Sequence, residues 1–209
     1  MESYKAWSTN RRFPVQARAK ATVEKIKKAS LDLLREEGLE ALNTNAIAEQ
    51  AGVNISTLYA YYPDKYTILY DLFDSFEETR SHYVLEKMQE LKREGDWQEW
   101  FFQVIEGLAD YRLKDPAGIA LRRALILRPE LHELDIESSK VTWTSLADIF
   151  EIEFSIDKNI AASISEIVIE SITHMLDSAF SVSPPRIDKV EELKVMITRY
   201  LFPYLTEKS

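Results

Sequence analysis

An all-α fold is predicted for this chain of 209 residues, on three observations. Apolar residues recur at spacings of three and four along almost the whole chain, which is the period of amphipathic helices. Only five glycines and seven prolines interrupt this pattern. No stretch alternates apolar and polar residues between hairpin turns, as strands would. We therefore expect a small N-terminal module of three helices followed by a six-helix bundle.

The first three helices are bounded by residues that end or begin helices. Gly38 ends the first, because glycine can adopt the left-handed conformation of a helix C-cap. Asn43 is the expected N-cap of the second, and Gly52 begins the turn to the third. The predicted ranges are residues 17–37, 44–51 and 55–61.

Six longer helices follow, each marked by proline, glycine or aspartate at the positions that these residues favour. Pro63-Asp64 begins the fourth, which ends near Gly95; Asp96 caps the fifth, Asp115-Pro116 opens the sixth, and Arg128-Pro129 closes it. The last three are expected at about residues 130–153, 157–180 and, after the loop 181–185, up to Leu205. No linker rich in Gly or Ser separates the modules, so the fourth helix would connect them continuously.

Charge is distributed unevenly along the chain. The net charge of −9 and pI near 5.0 argue against a nucleic-acid partner, because phosphate binding requires positive charge. Residues 1–28, however, carry eight basic and two acidic side chains, a net +6, whereas about −11 lies beyond residue 65. This asymmetry predicts a basic N-terminal arm with a specific partner.

Composition also excludes several classes of function. The absence of cysteine excludes disulfides, thiolate metal sites and cysteine nucleophiles, and it fits a reducing compartment. The first residues form no signal peptide, and no run reaches the ~18 apolar residues of a membrane span. The three histidines lie far apart, and there is no His-Glu-x-x-His motif or Gly-rich phosphate loop. We expect a cytoplasmic protein that is not an enzyme and has no metal, cofactor or membrane partner.

Residues 43–65 have the pattern of a helix-turn-helix, in which two short helices need a small residue where they cross and a glycine in the turn. Ala48 and Gly52 occupy those positions. Leu58 and Tyr62 lie one turn apart and would pack inward. The opposite face then turns toward solvent, and its residues are Ser56, Thr57, Tyr59, Ala60 and Tyr61.

Small, hydroxylated and aromatic side chains suit a helix in the major groove, where hydroxyl groups reach phosphates or base edges. Thr44 at a helix N-terminus and Lys65 would bind phosphates on either side, and Ile55 could touch a thymine methyl group. Arg11 and Arg12 of the arm would either lie in the adjacent minor groove or belong to a solvated terminus. The expected DNA contacts are Thr44, Asn45, Ile55, Ser56, Thr57, Tyr59, Tyr61, Lys65, Arg11 and Arg12.

This segment resembles the DNA-binding signature of the TetR (tetracycline-repressor) family of one-component bacterial regulators. The residues that carry the resemblance are Thr44, Ile47-Ala48, Ala51-Gly52-Val53, Thr57-Leu58-Tyr59, Tyr61-Tyr62 and Lys65. Three positions depart from the usual pattern: Asn43 replaces a common Thr, Ser56 a frequent Gly, and Tyr62 the usual Phe. Tyr62 can pack as Phe does if its hydroxyl group reaches an edge of the module.

The resemblance implies a ligand-responsive regulator, usually a repressor, that binds a palindromic double-stranded operator through its helix-turn-helix. The regulator would be a homodimer whose two chains contact each other through their last two helices. Its parts would be the arm at residues 1–15, the helix-turn-helix domain at 16–64, and an effector-binding and dimerisation domain at 65–209. Two alternatives are an activator of the same fold and a helical adaptor module without DNA activity.

The resemblance also implies a small-molecule pocket inside the bundle. Aromatic residues are dense on the fifth and seventh helices and polar groups are few, which favours a mainly apolar or aromatic effector. Arg122 is the expected partner of any carboxylate that the effector carries. The expected ligand contacts are Tyr83, Trp100, Phe101, Val104, Arg122, Trp143 and His174.

Overall fold

The structure is a computed structural model that describes residues 16–92, 95–114, 117–126 and 129–206, so Arg11 and Arg12 lie outside the described residues. Over these ranges the chain is helical and contains no strand, which confirms the predicted fold class. The helices are α1 (Ala17–Glu37), α2 (Thr44–Ala51), α3 (Ile55–Tyr61), α4 (Lys65–Met88), α5 (Trp97–Lys114), α6 (Ala117–Ile126), α7 (Pro129–Phe154), α8 (Lys158–Ala179) and α9 (Ile187–Leu205).

Side-chain caps fix the beginnings of several helices. Asn43 accepts a hydrogen bond from the Ala46 N–H at 2.9 Å, as predicted for the N-cap of α2. Asp96 and Asp157 cap α5 and α8 in the same way. Gly52 adopts the left-handed conformation, with φ 63° and ψ 37°. These local bonds explain why the sequence alone places the helix beginnings so closely.

Two helix ends differ from the prediction. Gly38 has φ 83° but ψ −179°, so α1 ends at a glycine with positive φ that is not a left-handed cap. Helix α4 ends at Met88 rather than near Gly95. Beyond Met88 the backbone tightens into turns, because the Glu90 and Leu91 N–H groups bond to carbonyls three residues earlier.

The chain forms two compact units, which comprise the described residues of Met1–Glu77 with Pro116–Asp135 and of Glu78–Asp115 with Ile136–Ser209. In the first unit, α1, α2, α3, the first half of α4 and α6 share one apolar core. Its fully buried side chains include Ile26, Leu42, Ile47, Leu58 and Leu69. This core holds the helix-turn-helix rigidly at the surface of the unit.

In the second unit, α5 packs against α8 and α9, and two buried cations tie these helices together. Arg112 pairs with Asp177 of α8 at 2.6 Å, and Lys194 of α9 pairs with Glu106 at 2.6 Å. Burial lowers the pKa of Lys194, but hydrogen bonds to Glu106 and Glu191 outweigh this effect and raise it above its ordinary value. The positions of α8 and α9 are thereby fixed by charge as well as by apolar packing. In the described part of the chain, no helix is long and apolar enough to cross a bilayer.

Candidate functional site

Helix α3 has a buried face and an exposed face. Leu58 and Tyr62 are fully buried, as the spacing predicts. Ser56, Tyr59 and Ala60 are exposed, and the Tyr59 side chain is 51% accessible. Thr57 is half-buried, as are Ile55 and Tyr61, which pack partly against the core of the first unit. The surface open to a partner is thus narrower than predicted and is centred on Tyr59.

A hydrogen bond joins α2 to α3 across this surface. The Thr44 hydroxyl lies 3.1 Å from the Tyr59 hydroxyl, and either group can donate. Thr44 lies in the first turn of α2, where backbone N–H groups face outward, and Asn45 beside it is exposed. The beginning of α2 and the exposed face of α3 therefore present hydrogen-bond donors and acceptors side by side. The N-terminus of α2, which lies there, favours anions.

Ser56 is oriented by the cap of its own helix. Its backbone N–H and its hydroxyl group both donate to Asn54 Oδ1, at 2.9 and 2.8 Å. The hydroxyl hydrogen is therefore used within the protein, and the exposed oxygen remains as an acceptor. A partner would have to donate to Ser56, as the amino groups of adenine and cytosine can.

Lys65 is fixed close to the beginning of α2. Its Nζ donates to the Leu42 carbonyl at 2.8 Å and lies 5.5 Å from the centre of the Tyr66 ring. An ammonium group has three donors, so this bond leaves donors for a phosphate. Because Leu42 immediately precedes the α2 N-cap, Lys65 and Thr44 can act on the same stretch of nucleic-acid backbone.

Tyr62 corrects one expectation. Its hydroxyl group does not reach an edge of the module but donates to buried Asp71 Oδ2 at 2.5 Å. Lys27 Nζ lies 3.7 Å from the same carboxylate oxygen and also donates to Ser75 Oγ at 2.7 Å. The Tyr62 hydroxyl group, which Phe would lack, thus belongs to a polar network inside the core and does not lie at the exposed surface.

The α1 surface adds positive charge to the first unit. Five basic side chains of this helix are exposed, and one of them, Arg35, pairs with Asp32 at 2.7 Å; the five are Arg18, Lys20, Lys25, Lys28 and Arg35. Lys27, in contrast, is half-buried and pairs with Asp71. The local positive charge inferred from the sequence is therefore present at the surface and is not consumed by ion pairs in the core.

A closed cavity lies in the second unit among α4, α5, α7 and α8. Its volume is about 10 Å³, roughly the space that one water molecule needs. Three of the expected ligand contacts, Trp100, Phe101 and Val104, line it. The remaining lining residues are Arg80, Val84, Met88, Leu108, Thr142, Leu146, Ile169, Ile172 and Thr173. Arg80 and Thr142 were not predicted, although Arg80 interrupts an apolar stripe that continues at Val84 and Met88 with helical spacing.

Three other expected ligand contacts are not among the lining residues. Tyr83 is half-buried, and its hydroxyl group donates to the Gln103 carbonyl at 3.4 Å. Burial raises the pKa of Tyr83, so this phenol is neutral at physiological pH. Trp143 is half-buried, and His174 is exposed with Nδ1 2.9 Å from the Glu170 carbonyl. None of these three side chains contributes to the wall of the cavity, although a chain neighbour of each does: Val84, Thr142 and Thr173.

Arg122, the expected partner of a ligand carboxylate, lies in the first unit and is not among the residues that line this cavity. Its guanidinium group is buried and pairs with Glu77 at 2.5 Å, with the rings of Phe73 and Phe76 within 6 Å. The carboxylate that Arg122 meets is therefore a side chain of the protein and not an effector. Gly118, four residues earlier on α6, allows this packing, because a Cβ there would lie 1.9 Å from the Phe76 ring.

Known proteins support the interpretation of the first unit. Residues 26–72 match the family model described as bacterial regulatory proteins, tetR family. This match confirms the resemblance to the TetR family and the prediction of a DNA-binding regulator, and a family of regulators agrees with the prediction that the chain is not an enzyme. No curated protein sequence matches the chain.

Solved structures share the fold over most of the chain. A transcriptional regulator from Rhodococcus sp. Rha1 has a TM-score of 0.66 at 20% identity, covering 88% of this chain and 98% of its own. A TetR-family regulator from Streptomyces coelicolor has a TM-score of 0.62 at 20% identity, covering 88% and 99%. One from Mesorhizobium loti has 0.66 at 17% identity, covering 90% and 99%. At these identities the likeness concerns the fold alone.

A metal site was not expected. Within the residues that the structure describes, no group of three or more His, Cys, Asp or Glu side chains is placed to hold a metal ion. The chain thus has two separate candidate regions. One is the exposed helix-turn-helix of the first unit, and the other is the closed, mainly apolar cavity of the second.

Proposed function

From the match of residues 26–72 to the tetR family of bacterial regulatory proteins, we propose that this chain is a ligand-responsive transcriptional repressor. It binds a palindromic double-stranded operator as a homodimer, and a small effector bound in the second unit releases it. The structural observation that carries the proposal beside this match is the exposed α2–α3 surface, on which the Thr44 and Tyr59 hydroxyl groups bond to each other.

The chemistry of this surface suits DNA. Helix α3 offers hydroxyl groups and an aromatic ring rather than a dense row of cations, so base edges and phosphates would be met mainly by hydrogen bonds. Lys65 and the exposed cations of α1 supply charge beside the reader. Beyond residue 65 the chain carries about −11, which keeps that part away from the phosphate backbone.

Dimerisation through α8 and α9 is supported by the apolar side chains that these helices leave exposed. Ile160 and Ile167 lie two turns apart on α8, and Met196 and Phe202 lie on α9; all four are at least 43% accessible. Their buried neighbours, such as Ile164 and Ile197, belong to the core of the unit. One seven-residue helix contacts few bases, so a two-fold dimer would double both contacts and specificity.

The effector would bind in the cavity lined by Trp100, Phe101 and Val104. At about 10 Å³ the cavity is far smaller than the ~300–1,000 Å³ of ligand pockets, so binding must open it. A ligand that binds only the opened form favours that form by its differential affinity, which can couple occupancy to release of DNA.

A mobility-shift assay on the DNA upstream of the protein's own gene tests the proposal. Wild-type protein should shift this DNA at salt concentrations where competitor DNA is not bound. Tyr59→Phe, which removes one exposed hydroxyl group, should weaken specific binding about 3- to 10-fold, as loss of one hydrogen bond predicts. Tyr83→Phe is the matched control and should bind as the wild type does. A helical adaptor module would shift no DNA sequence specifically.

A further inference from the structure

An open groove lies on the second unit, between the end of α4 and the C-terminal half of α7. Its volume is about 390 Å³. The apolar part of its wall consists of Leu85, Met88, Leu91, Ile149 and Ile152, and its polar part consists of Gln89, Lys92, Ser145, Asp148 and Glu153. Lys92 and Glu153 form an ion pair at 3.1 Å, which holds α7 to the segment after α4. We refer to this space as the outer groove, and to the closed cavity among α4, α5, α7 and α8 as the inner cavity.

The outer groove and the inner cavity share one wall, Met88. This residue is the last of α4, is 3% accessible and lines both spaces. Methionine has three rotatable side-chain bonds and adapts easily to a changed environment. Displacement of this one side chain would connect the inner cavity to a groove whose volume already lies in the ~300–1,000 Å³ range of ligand sites.

Two polar side chains stand at the inner end of this path. Arg80 lies two turns before Met88 on α4, is 3% accessible and lines the inner cavity. Thr142 of α7 lines the same cavity and is fully buried, yet its hydroxyl oxygen has no hydrogen-bond partner in the described structure. Buried polar groups are nearly always hydrogen-bonded, so an orphan hydroxyl that lines the same cavity as a buried guanidinium group indicates a ligand atom that accepts from both.

Resting on the proposed function, we propose that the effector is a monocarboxylate with an apolar chain or ring, and that it reaches the inner cavity past Met88. The carboxylate binds the Arg80 guanidinium group, which can hold it while keeping a protein partner because it carries five N–H donors in a planar fork. Thr142 donates its hydroxyl hydrogen to the same carboxylate. The apolar part of the ligand lies against Trp100 and Phe101 and extends into the outer groove.

Other classes of ligand fit less well. A cation would be placed against a buried guanidinium group, and a neutral hydrocarbon would leave the Thr142 hydroxyl unsatisfied. A carboxylate can accept from the Thr142 hydroxyl group and from an N–H group of Arg80 at once. The remaining walls of the inner cavity are almost entirely apolar, so they offer no second charge to a dianion.

Calorimetric titration of the full chain with octanoate and with octan-1-ol, which has the same chain length, tests this inference. Octanoate should bind about 10- to 100-fold more tightly than the alcohol, as expected for hydrogen bonds to a charged group. Thr142→Val replaces a partnerless hydroxyl group by a methyl group of the same shape, so the variant should fold. It should weaken octanoate binding about 10-fold and octan-1-ol binding by a smaller factor, because a hydrogen bond to a neutral hydroxyl group contributes less than one to a carboxylate. The matched control is Thr144→Val, on the exposed side of α7, which should behave as the wild type.

Three results would overturn the inference: equal affinities for the acid and the alcohol, equal effects of Thr142→Val and Thr144→Val, or no octanoate binding at all. Each leaves the proposed function standing if the same preparation still shifts operator DNA. Failure of the wild type to bind DNA would instead refute the proposed function, whatever the titration shows.

Discussion

Replacing Tyr62 by Phe would remove one oxygen from the core of the first unit and leave the volume of the ring in place. The lost hydroxyl group donates to Asp71 Oδ2 at 2.5 Å, and both residues are at most 1% accessible, so water cannot replace the donor. A hydrogen bond to a charged group contributes about 1.5–3 kcal/mol. Lys27 Nζ remains 3.7 Å from the same oxygen and still interacts with the carboxylate. We therefore expect the free energy of unfolding to fall by an amount near the lower end of this range, about 2 kcal/mol.

Urea denaturation measures this loss, and the matched variant is Tyr59→Phe. Tyr62→Phe should lower the urea midpoint with an unchanged slope, since the folded surface is the same, and should leave operator affinity intact. Tyr59→Phe removes an exposed hydroxyl group, so its free energy of unfolding should change by less than about 0.5 kcal/mol while its operator affinity falls. The two tyrosines, three positions apart, would thus separate stability from recognition.

Two results would refute this reasoning. Equal urea midpoints for Tyr62→Phe and the wild type would show that Asp71 does not depend on the hydroxyl group. Weakened operator binding by a fully folded Tyr62→Phe protein would show that the Tyr62 side chain acts at the exposed surface after all.

Three further experiments test packing, the proposed ligand site and assembly. Gly118→Ala would place a methyl group 1.9 Å from the Phe76 ring, so thermal unfolding should show a free energy of unfolding that is lower by about 1–3 kcal/mol. Adding Phe76→Leu to this variant should partly restore the stability. Unchanged stability of Gly118→Ala would contradict this close packing. A ligand-induced change in tryptophan fluorescence should disappear in Trp100→Phe and persist in Trp143→Phe, and the reverse would place the ligand elsewhere. Ile167→Asp should convert a dimer to a monomer in sedimentation velocity and weaken operator binding, and an unchanged sedimentation coefficient would exclude Ile167 from the interface.

Sequence alone predicts the helices and the DNA-binding surface because both depend on local signals. Asn43 caps α2 through a bond that spans three residues, and Gly52 is needed where the backbone turns left-handed. Apolar Leu58 and Tyr62 lie one helical turn apart, and this spacing predicts that their face of α3 is buried and that Tyr59 lies on the exposed face. Such features need no knowledge of distant parts of the chain. Gly38 shows the limit, since its ψ angle depends on the loop that follows it.

The residues that line the inner cavity were predicted only in part, because the lining of a cavity depends on which helix faces meet. Trp100 and Phe101 of α5 line the inner cavity, whereas Trp143 of α7 is not among its lining residues although its neighbour Thr142 is. In sequence Arg122 stands beside apolar residues, whereas Arg80 stands among polar and charged ones, so the sequence favours Arg122 as the buried cation of a cavity. Only the packing shows that Arg122 meets Glu77 in the first unit while Arg80 lines the inner cavity of the second.

Met88 also bears on how fast a ligand binds. The inner cavity is closed in this structure, so the measured dissociation constant equals the intrinsic one divided by the fraction of molecules that are open. Displacement of a buried side chain requires its neighbours to move as well, so it is slower than the picosecond-to-nanosecond rotamer changes of exposed residues. The observed association rate should therefore level off at the opening rate as ligand concentration rises. The regulator would then respond to a change in ligand concentration no faster than the Met88 side chain is displaced from the path to the inner cavity.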